Sequence, residues 1–288
     1  GEGDLYLAGG VESMSRAPYV LGKSESPYSR DVKMYATTIG ARFINPKFVK
    51  QFGNHSMPET GDNVAKEFGV SRVQADEFAL ASQKKYAKAE AEGFYKGEIL
   101  EIKIPNMKRD APPAIVAQDE HPRRDATLDS LAKLKPLFEG GVVTAGNASG
   151  VNDGAAALVI GSLAWGNKSG RKPIARILSA ASAAVEPRIM GVGPAYAIPK
   201  ALERAGLSLK DMEVIEINEA FASQVLACLK LMKVDFKDTR VNPNGGAIAI
   251  GHPLGCSGAR LALTVSRQLK ETGGRYAAVS LCIGVGQG

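Results

Sequence analysis

Two residues of this 288-residue chain stand where reactive side chains invite chemistry: His252, between Gly251 and Pro253, and Cys282, two residues before Gly284. A lone histidine is more often structural or merely exposed than catalytic. Flanked by glycine and proline on a turn just ahead of a predicted helix, His252 becomes a candidate general base. A cysteine in the apolar run from Tyr276 to Ile283 is by default an inert core residue. Gly284, Gly286 and Gly288 weaken that default. They leave the thiol at a strand end, with neighbouring N–H groups free to stabilise an oxyanion.

Two further segments put polar groups at the ends of regular elements, where α/β domains place their sites. In Ile217-Asn218-Glu219-Ala220-Phe221 a strand hands over to a helix. Asn218 as an N-cap would account for that residue completely; a functional asparagine there would orient a water or a histidine, and both readings stay open. The stretch from Thr144 to Gly154 is small and polar ahead of an alanine-rich strand, which fits either a tight turn or a ligand-facing loop with donors for amide or phosphate groups. Cys228 and Cys256 are assigned to packing, Cys228 because it lies mid-helix between Ala227 and Leu229. The three cysteines and three histidines show none of the close spacings that zinc requires, so no metal site is expected.

The elements that must position these residues fall into three textures. Leu5 to Gly10 reads as a buried strand ending in a Gly9-Gly10 turn. From about Ser13 to Gly141 the chain is richer in charge, proline and aromatics, with helices expected near Glu59–Phe68 and Ser71–Glu92. The second opens with a capping box, Ser71 to Gln74. This mixed excursion reads as an inserted lid or loop domain. From about Arg171 strands alternate with helices: Ile174–Ser179, Glu213–Ile217 and Tyr276–Ile283 as strands, and Pro194–Ala205, Glu219–Met232 and about Ser257–Glu271 as helices. That alternation predicts an α/β layered domain on a mainly parallel sheet. The turn before the last helix, from Val241 to Arg260, carries Gly245, Gly246, Gly251, Gly255 and Gly258, which let the backbone approach a ligand or helix closely.

Composition narrows the classes. At 44% hydrophobic and 23% charged the chain can bury a sizeable core in one large or two smaller domains. No apolar run approaches the ~20 residues of a membrane span. Three cysteines are too few for a disulfide framework, which makes a reducing compartment the default. The charge of +6 is scattered, with no basic block interleaved with stacking aromatics, so nucleic acid is not the expected partner; a phosphate-rich small molecule fits the mild positive excess. Residue 1 is glycine, and the far end stops within the glycine-rich Ile283 to Gly288. Sequence is therefore expected to be missing on both sides, and the lack of a targeting peptide carries no meaning.

Six strings, in order, resemble the thiolase family almost from end to end: Ala8 to Ser15 (AGGVESMS), Thr127 to Ser130, Thr144 to Gly154, Asn218 to Phe221, Asn244 to Arg260 and Cys282 to Gly288. The resemblance implies an α/β, thiolase-like fold of two similar layered halves with mixed sheets and an inserted loop domain. Residues 1–12 and 142–165 would be the remainder of the N-terminal half, 13–141 the loop domain that covers CoA, and 166–288 the C-terminal half. His252 matches the histidine that activates the nucleophile and Cys282 the acid/base cysteine. Asn218 matches the holder of the oxyanion-hole water, and the Gly284 N–H would help a second oxyanion hole. Arg123, Ser130, Phe138, Ala145, Ser149, Met190, Ala220 and Phe221 match positions lining the CoA or pantetheine channel. The nucleophilic cysteine would lie ~20 residues before Gly1, at a helix start.

The implied activity is acyl transfer: cleavage of a 3-oxoacyl-CoA by CoA, or the reverse condensation. CoA is then a co-substrate, no cofactor is tightly bound, and a cytoplasmic homodimer or homotetramer is expected. Some biosynthetic thiolases have a histidine just before Met-x-x-Thr; this chain has Ser56 before Met57, with His55 displaced by one, which points away from an acetoacetyl-CoA specialist. The stretches Arg30–Tyr35, Thr37–Gly40 and Ser56–Thr60 most resemble thiolases acting on 3-oxoadipyl-CoA. Its terminal carboxylate calls for a cation or helix N-terminus, with Arg30, Lys33 and Arg42 as suppliers. The alternatives are a general 3-ketoacyl-CoA or acetoacetyl-CoA thiolase, a decarboxylating ketoacyl synthase, and a non-catalytic acyl-CoA binder.

Overall fold

The computed structural model describes residues 3–24, 26–108 and 111–288. Its strands are β1 (Leu5–Ser13), β2 (Tyr19–Leu21), β3 (Met34–Ala36), β4 (Ile102–Ile104), β5 (Ala114–Val116), β6 (Asp153–Gly161), β7 (Val214–Ile217) and β8 (Ala277–Ser280). The helices are α1 (Pro46–Phe52), α2 (Met57–Phe68), α3 (Arg72–Ala91), α4 (Leu128–Ala132), α5 (Leu163–Ser169), α6 (Gly193–Ala205), α7 (Ala222–Met232), α8 (Ala247–Ile250) and α9 (Leu254–Thr272). The sheets are mixed: β1–β6, β2–β3 and β4–β5 pair antiparallel, whereas β7–β8 pair parallel.

Strand β1 does not turn at Gly9-Gly10 as expected but runs on to Ser13, in register with β6 from Leu5 opposite Gly161 to Ser13 opposite Asp153. The glycines serve a close approach instead. A Cβ on Gly10 would fall 1.7 Å from the Gly255 carbonyl oxygen, so α9 can cross the ribbon there only because that Cβ is absent.

The main core is built by α3, α6 and α7 around β7. Phe78 and Ala79, Ile198 and Leu202, and Val225, Cys228 and Leu229 close on Ile215 and Ile217, both fully buried. Cys228 thus packs as a small hydrophobe. Helix α3 begins at the expected capping box, where the Gln74 N–H donates to Ser71 Oγ at 3.2 Å and the Ser71 N–H to Gln74 Oε1 at 2.9 Å.

The strand expected at Ile174–Ser179 is not formed. A strand obtains its hydrogen bonds from a neighbour, and among the described residues no backbone hydrogen bond joins this segment to another. Ile174, Ile177 and Leu178 are 53%, 73% and 50% exposed, and Ser179 is held to α6 by its hydroxyl, which donates to the Ala201 carbonyl at 2.6 Å. Other boundaries move as well. Strand β8 stops at Ser280, short of Ile283, because Ile283 instead pairs back on Gln287 across a turn. Helix α7 starts at Ala222 with Phe221 as N-cap, so Asn218 is not a cap.

Candidate active site

Three extended segments run parallel through the middle of the C-terminal region, and each delivers one loop of the site. Strand β7 is central. On one side Ile217 pairs with Ser280 of β8. On the other, Ile215 donates to the Arg240 carbonyl at 2.9 Å and its own carbonyl accepts from the Asn242 N–H at 3.1 Å. The loops leaving the three C-terminal ends carry Asn218, Cys282 and, through α8, His252. Ligands of open α/β sheets bind in the crevice outside such ends.

Side chains lock the loops together. Asn242 adopts a left-handed backbone (φ 43°), which asparagine tolerates. Its amide oxygen accepts from the Ile217 N–H at 2.9 Å, while its NH2 donates to the Ile217 carbonyl at 2.9 Å and to Glu219 Oε1 at 2.8 Å. The other Glu219 oxygen accepts from Ser82 Oγ at 2.6 Å and from the Ile248 N–H at 3.1 Å. One buried carboxylate therefore ties α3, the strand ends and α8. The 144–150 loop joins the same assembly: Ser149 donates to the Ala220 carbonyl at 3.0 Å and Ala222 to that of Asn147 at 2.8 Å. Asn147 in turn donates to buried Asp76 at 2.9 Å.

Of the expected site residues, Cys282, Met190, Ala220 and Phe221 meet in one buried apolar cluster with Val143 and Ala148, and Met57 packs against it. Burial pushes the Cys282 thiol up to about 12, so it carries its proton. Asn218 is 1% exposed, its N–H donates to the Ser280 carbonyl, and neither amide atom of its side chain has a partner among the described residues. A buried amide left this way costs free energy unless it serves a ligand or water. Gly284 lies in the turn after Cys282, where nothing stands within 4 Å of a built Cβ. Val285 beside it takes φ 69°, an uncommon conformation for a β-branched residue.

His252 sits between α8 and α9. Gly251 before it has φ 97°, and a Cβ there would strike the Asn152 side chain at 2.5 Å. Asn152 Oδ1 accepts the His252 backbone N–H at 3.1 Å, and the ring Nδ1 lies 2.6 Å from Ser257 Oγ. Burial, helped by the Arg260 charge, pushes the imidazole down to about 4, so the ring is neutral at physiological pH.

The remaining expected residues lie at the rim. Arg123 is exposed and folds back on its own loop, donating to the carbonyls of Glu120 and His121. Ser130 completes a capping box with Thr127 at the start of α4. Phe138 is 42% exposed, Ala145 is exposed and Ser149 half-buried. Among the cations expected for a substrate tail, Arg42 donates from Nε to the Ala36 carbonyl at 2.6 Å and so braces its loop, while Arg30 and Lys33 are exposed. Ser56 is the N-cap of α2, its N–H donating to Glu59 Oε2 at 2.6 Å, and His55 faces outward.

Sequence reasoning passed over Asn152, Ser257, Asn242 and Glu219. All four lie within or beside the singled-out strings, but only coordinates reveal that they hold the backbones carrying the reactive groups. Among the described residues no group of three or more His, Cys, Asp and Glu is arranged to hold a metal, and no helix is long and apolar enough to cross a membrane.

Comparison with known proteins places this geometry in a family. The profile described as "Thiolase, N-terminal domain" matches residues 1–163, and "Thiolase, C-terminal domain" matches 171–288. The chain is 55% identical, over its full length and 72% of the relative's, to a beta-ketoadipyl-CoA thiolase of Pseudomonas putida. It is 54% identical, with the same coverage, to the 3-oxoadipyl-CoA/3-oxo-5,6-dehydrosuberyl-CoA thiolase of Escherichia coli K12. The structure superposes with a TM-score of 0.88 on human mitochondrial 3-ketoacyl-CoA thiolase in complex with CoA, at 40% identity, covering 99% of this chain and 69% of that one.

Proposed function

The chain belongs to the thiolase family, and from that premise we infer that it catalyses cleavage of a 3-oxoacyl-CoA by CoA, with 3-oxoadipyl-CoA as substrate. What supports the chemistry is that His252 and Cys282 lie on loops leaving the same ends of the parallel segments that flank β7, where burial leaves the imidazole neutral and the thiol protonated. One is fitted to accept a proton and the other to give one. The substrate follows from the relatives that bear the beta-ketoadipyl name at 53–55% identity, against 43% for a beta-ketothiolase of Cupriavidus necator.

In the proposed sequence His252 takes the proton of a nucleophilic thiol, whose sulfur attacks the 3-oxo carbon. The bond between C2 and C3 breaks, and its electron pair leaves with acetyl-CoA, which receives the Cys282 proton. The Cys282 thiolate then takes the proton of incoming CoA, whose sulfur displaces the shortened acyl group from the enzyme sulfur, and that sulfur recovers its proton from His252. Splitting the reaction through a thioester lowers each barrier. Asn218, through its free amide, and the Gly284 N–H hold negative charge as it forms on the reacting oxygens. Arg123, Ser130, Phe138, Ala145, Ser149, Met190, Ala220 and Phe221 line the path of CoA, which residues 13–141 cover. CoA is a co-substrate, and the working enzyme is a cytoplasmic homodimer or homotetramer.

The test is thiolysis by Cys282→Ala and Cys282→Ser forms of an enzyme that includes the nucleophilic cysteine. Loss of an acid/base group costs about 10²–10⁴ in rate; turnover within a few-fold of wild type would refute the assignment. Competition of 3-oxoadipyl-CoA against acetoacetyl-CoA checks the substrate, and preference for the latter overturns that part.

A further inference from the structure

Among the polar groups that the proposed mechanism leaves unused, Ser257 alone touches the imidazole of His252 among the hydrogen bonds of the described residues. It is 1% exposed, in the first turn of α9, five residues after the histidine. Its Oγ stands 2.6 Å from Nδ1 and donates to the Pro253 carbonyl at 3.0 Å. That second contact is the bond to residue i−4 that a helical serine makes readily. A hydroxyl has one proton and two lone pairs. With the proton on the Pro253 carbonyl, Oγ would meet Nδ1 as an acceptor, and Nδ1 would carry the ring N–H.

The rest of the surroundings leave the ring little choice of orientation. Asn152 Oδ1 holds the His252 backbone N–H at 3.1 Å, and Gly251 is packed so closely on Asn152 that a Cβ would not fit. The chain is thus fixed behind the ring, and the ring is fixed at Nδ1. Nε2 is the nitrogen left to meet a substrate or thiol. Which nitrogen of a histidine bears the proton is set by the hydrogen bond the other makes.

We propose that Ser257 is a positioning residue that fixes His252 as the Nδ1–H tautomer, so that the lone pair which accepts the thiol proton is on Nε2. The transfer balances within the pair: the S–H bond breaks with its electrons kept by sulfur, an Nε2–H bond forms, and the resulting imidazolium still donates from Nδ1 to Ser257. This inference rests on the reading of His252 as the base, and its test is independent of turnover.

The experiment labels the protein with 15N-histidine and records long-range 1H–15N correlations from the ring protons at pH 7. Only three histidines are present, and the His252 signals are those lost in a His252→Asn variant. Wild type is expected to show a protonated Nδ1 and a bare Nε2. Ser257→Ala is expected to shift the ring to Nε2–H or to an average of both forms, and Ser257→Thr, which keeps the hydroxyl, to retain the wild-type pattern. The His55 and His121 signals report whether each variant is folded. In turnover, Ser257→Ala should lower kcat by about tenfold to a hundredfold with little change in KM, and threonine should restore it. A bare Nδ1 in wild type, or an unchanged spectrum in Ser257→Ala, overturns the proposal. If the spectra are as expected but His252→Asn leaves thiolysis intact, the base assignment fails while the tautomer stands, so the two failures are distinguishable.

Discussion

Replacing Asn242 by alanine should loosen the site more than any change of similar size on the surface, and the structure supports a magnitude. The amide makes three buried hydrogen bonds, two to the backbone of Ile217 and one to the carboxylate of Glu219. Neutral bonds contribute about 1 kcal/mol each and a charge-assisted one about 2, so their loss costs about 4 kcal/mol. Asn242 also sits at φ 43°, where alanine pays about 1 kcal/mol more than asparagine or glycine. Asn242→Ala should therefore lose about 5 kcal/mol and Asn242→Gly about 4, each with thiolysis reduced because the chain ahead of Asn218 is no longer tied to the extended segment at Val241. Urea unfolding followed by circular dichroism reads the change as a lower midpoint at unchanged slope. An Asn242→Ala protein within about 1 kcal/mol of wild type would refute this account of how the strand ends are joined.

Three further outcomes are expected. His252 is depressed from 6.5 to about 4, so its neutral form, and the stability linked to it, is fully present above pH 6.5 and lost as pH falls through 4; the histidine-dependent acid limb of kcat/KM should break near 4, and a break near 6.5 contradicts the burial argument. Glu216 is fully buried with neither oxygen partnered among the described residues, and burial pushes it from 4.5 up to about 8. A raised acid contributes stability below 4.5 that is lost as pH rises through 8, so Glu216→Gln should flatten the stability profile between pH 5 and 8, measured by thermal melts across that range. Gly10→Ala puts a methyl 1.7 Å from the Gly255 carbonyl oxygen, and the melting temperature should fall steeply, by the equivalent of about 1–3 kcal/mol or more.

How much of this was legible in the sequence depends on the range of the cause. The capping box of α3, the helices expected at Glu59–Phe68 and Pro194–Ala205, which form as Met57–Phe68 and Gly193–Ala205, and the mid-helix burial of Cys228 are local matters, and local pattern found them. So did the turn that carries His252, since glycine and proline announce it within four residues. Ile174–Ser179 failed because β-branched residues register propensity but not whether a neighbour exists. Gly9-Gly10 was misread as a turn because close approach of α9, 245 residues away in sequence from Gly10 to Gly255, looks locally like a break. Asn218 was left between cap and function, and only the start of α7 at Ala222 removed the cap. Ser257 lay inside a quoted string without being singled out, since a serine's proton becomes meaningful only when both of its partners are known in space.

Loops leaving the ends of β7, β8 and the parallel segment at Val241 bring a base and an acid to one substrate. A crystal structure of the enzyme with CoA bound measures this arrangement directly. The account predicts His252 Nε2 and Cys282 Sγ each within about 3–4 Å of a reacting atom in a shared cavity. Side chains that point into separate cores, more than about 10 Å apart with no cavity between them, would contradict it.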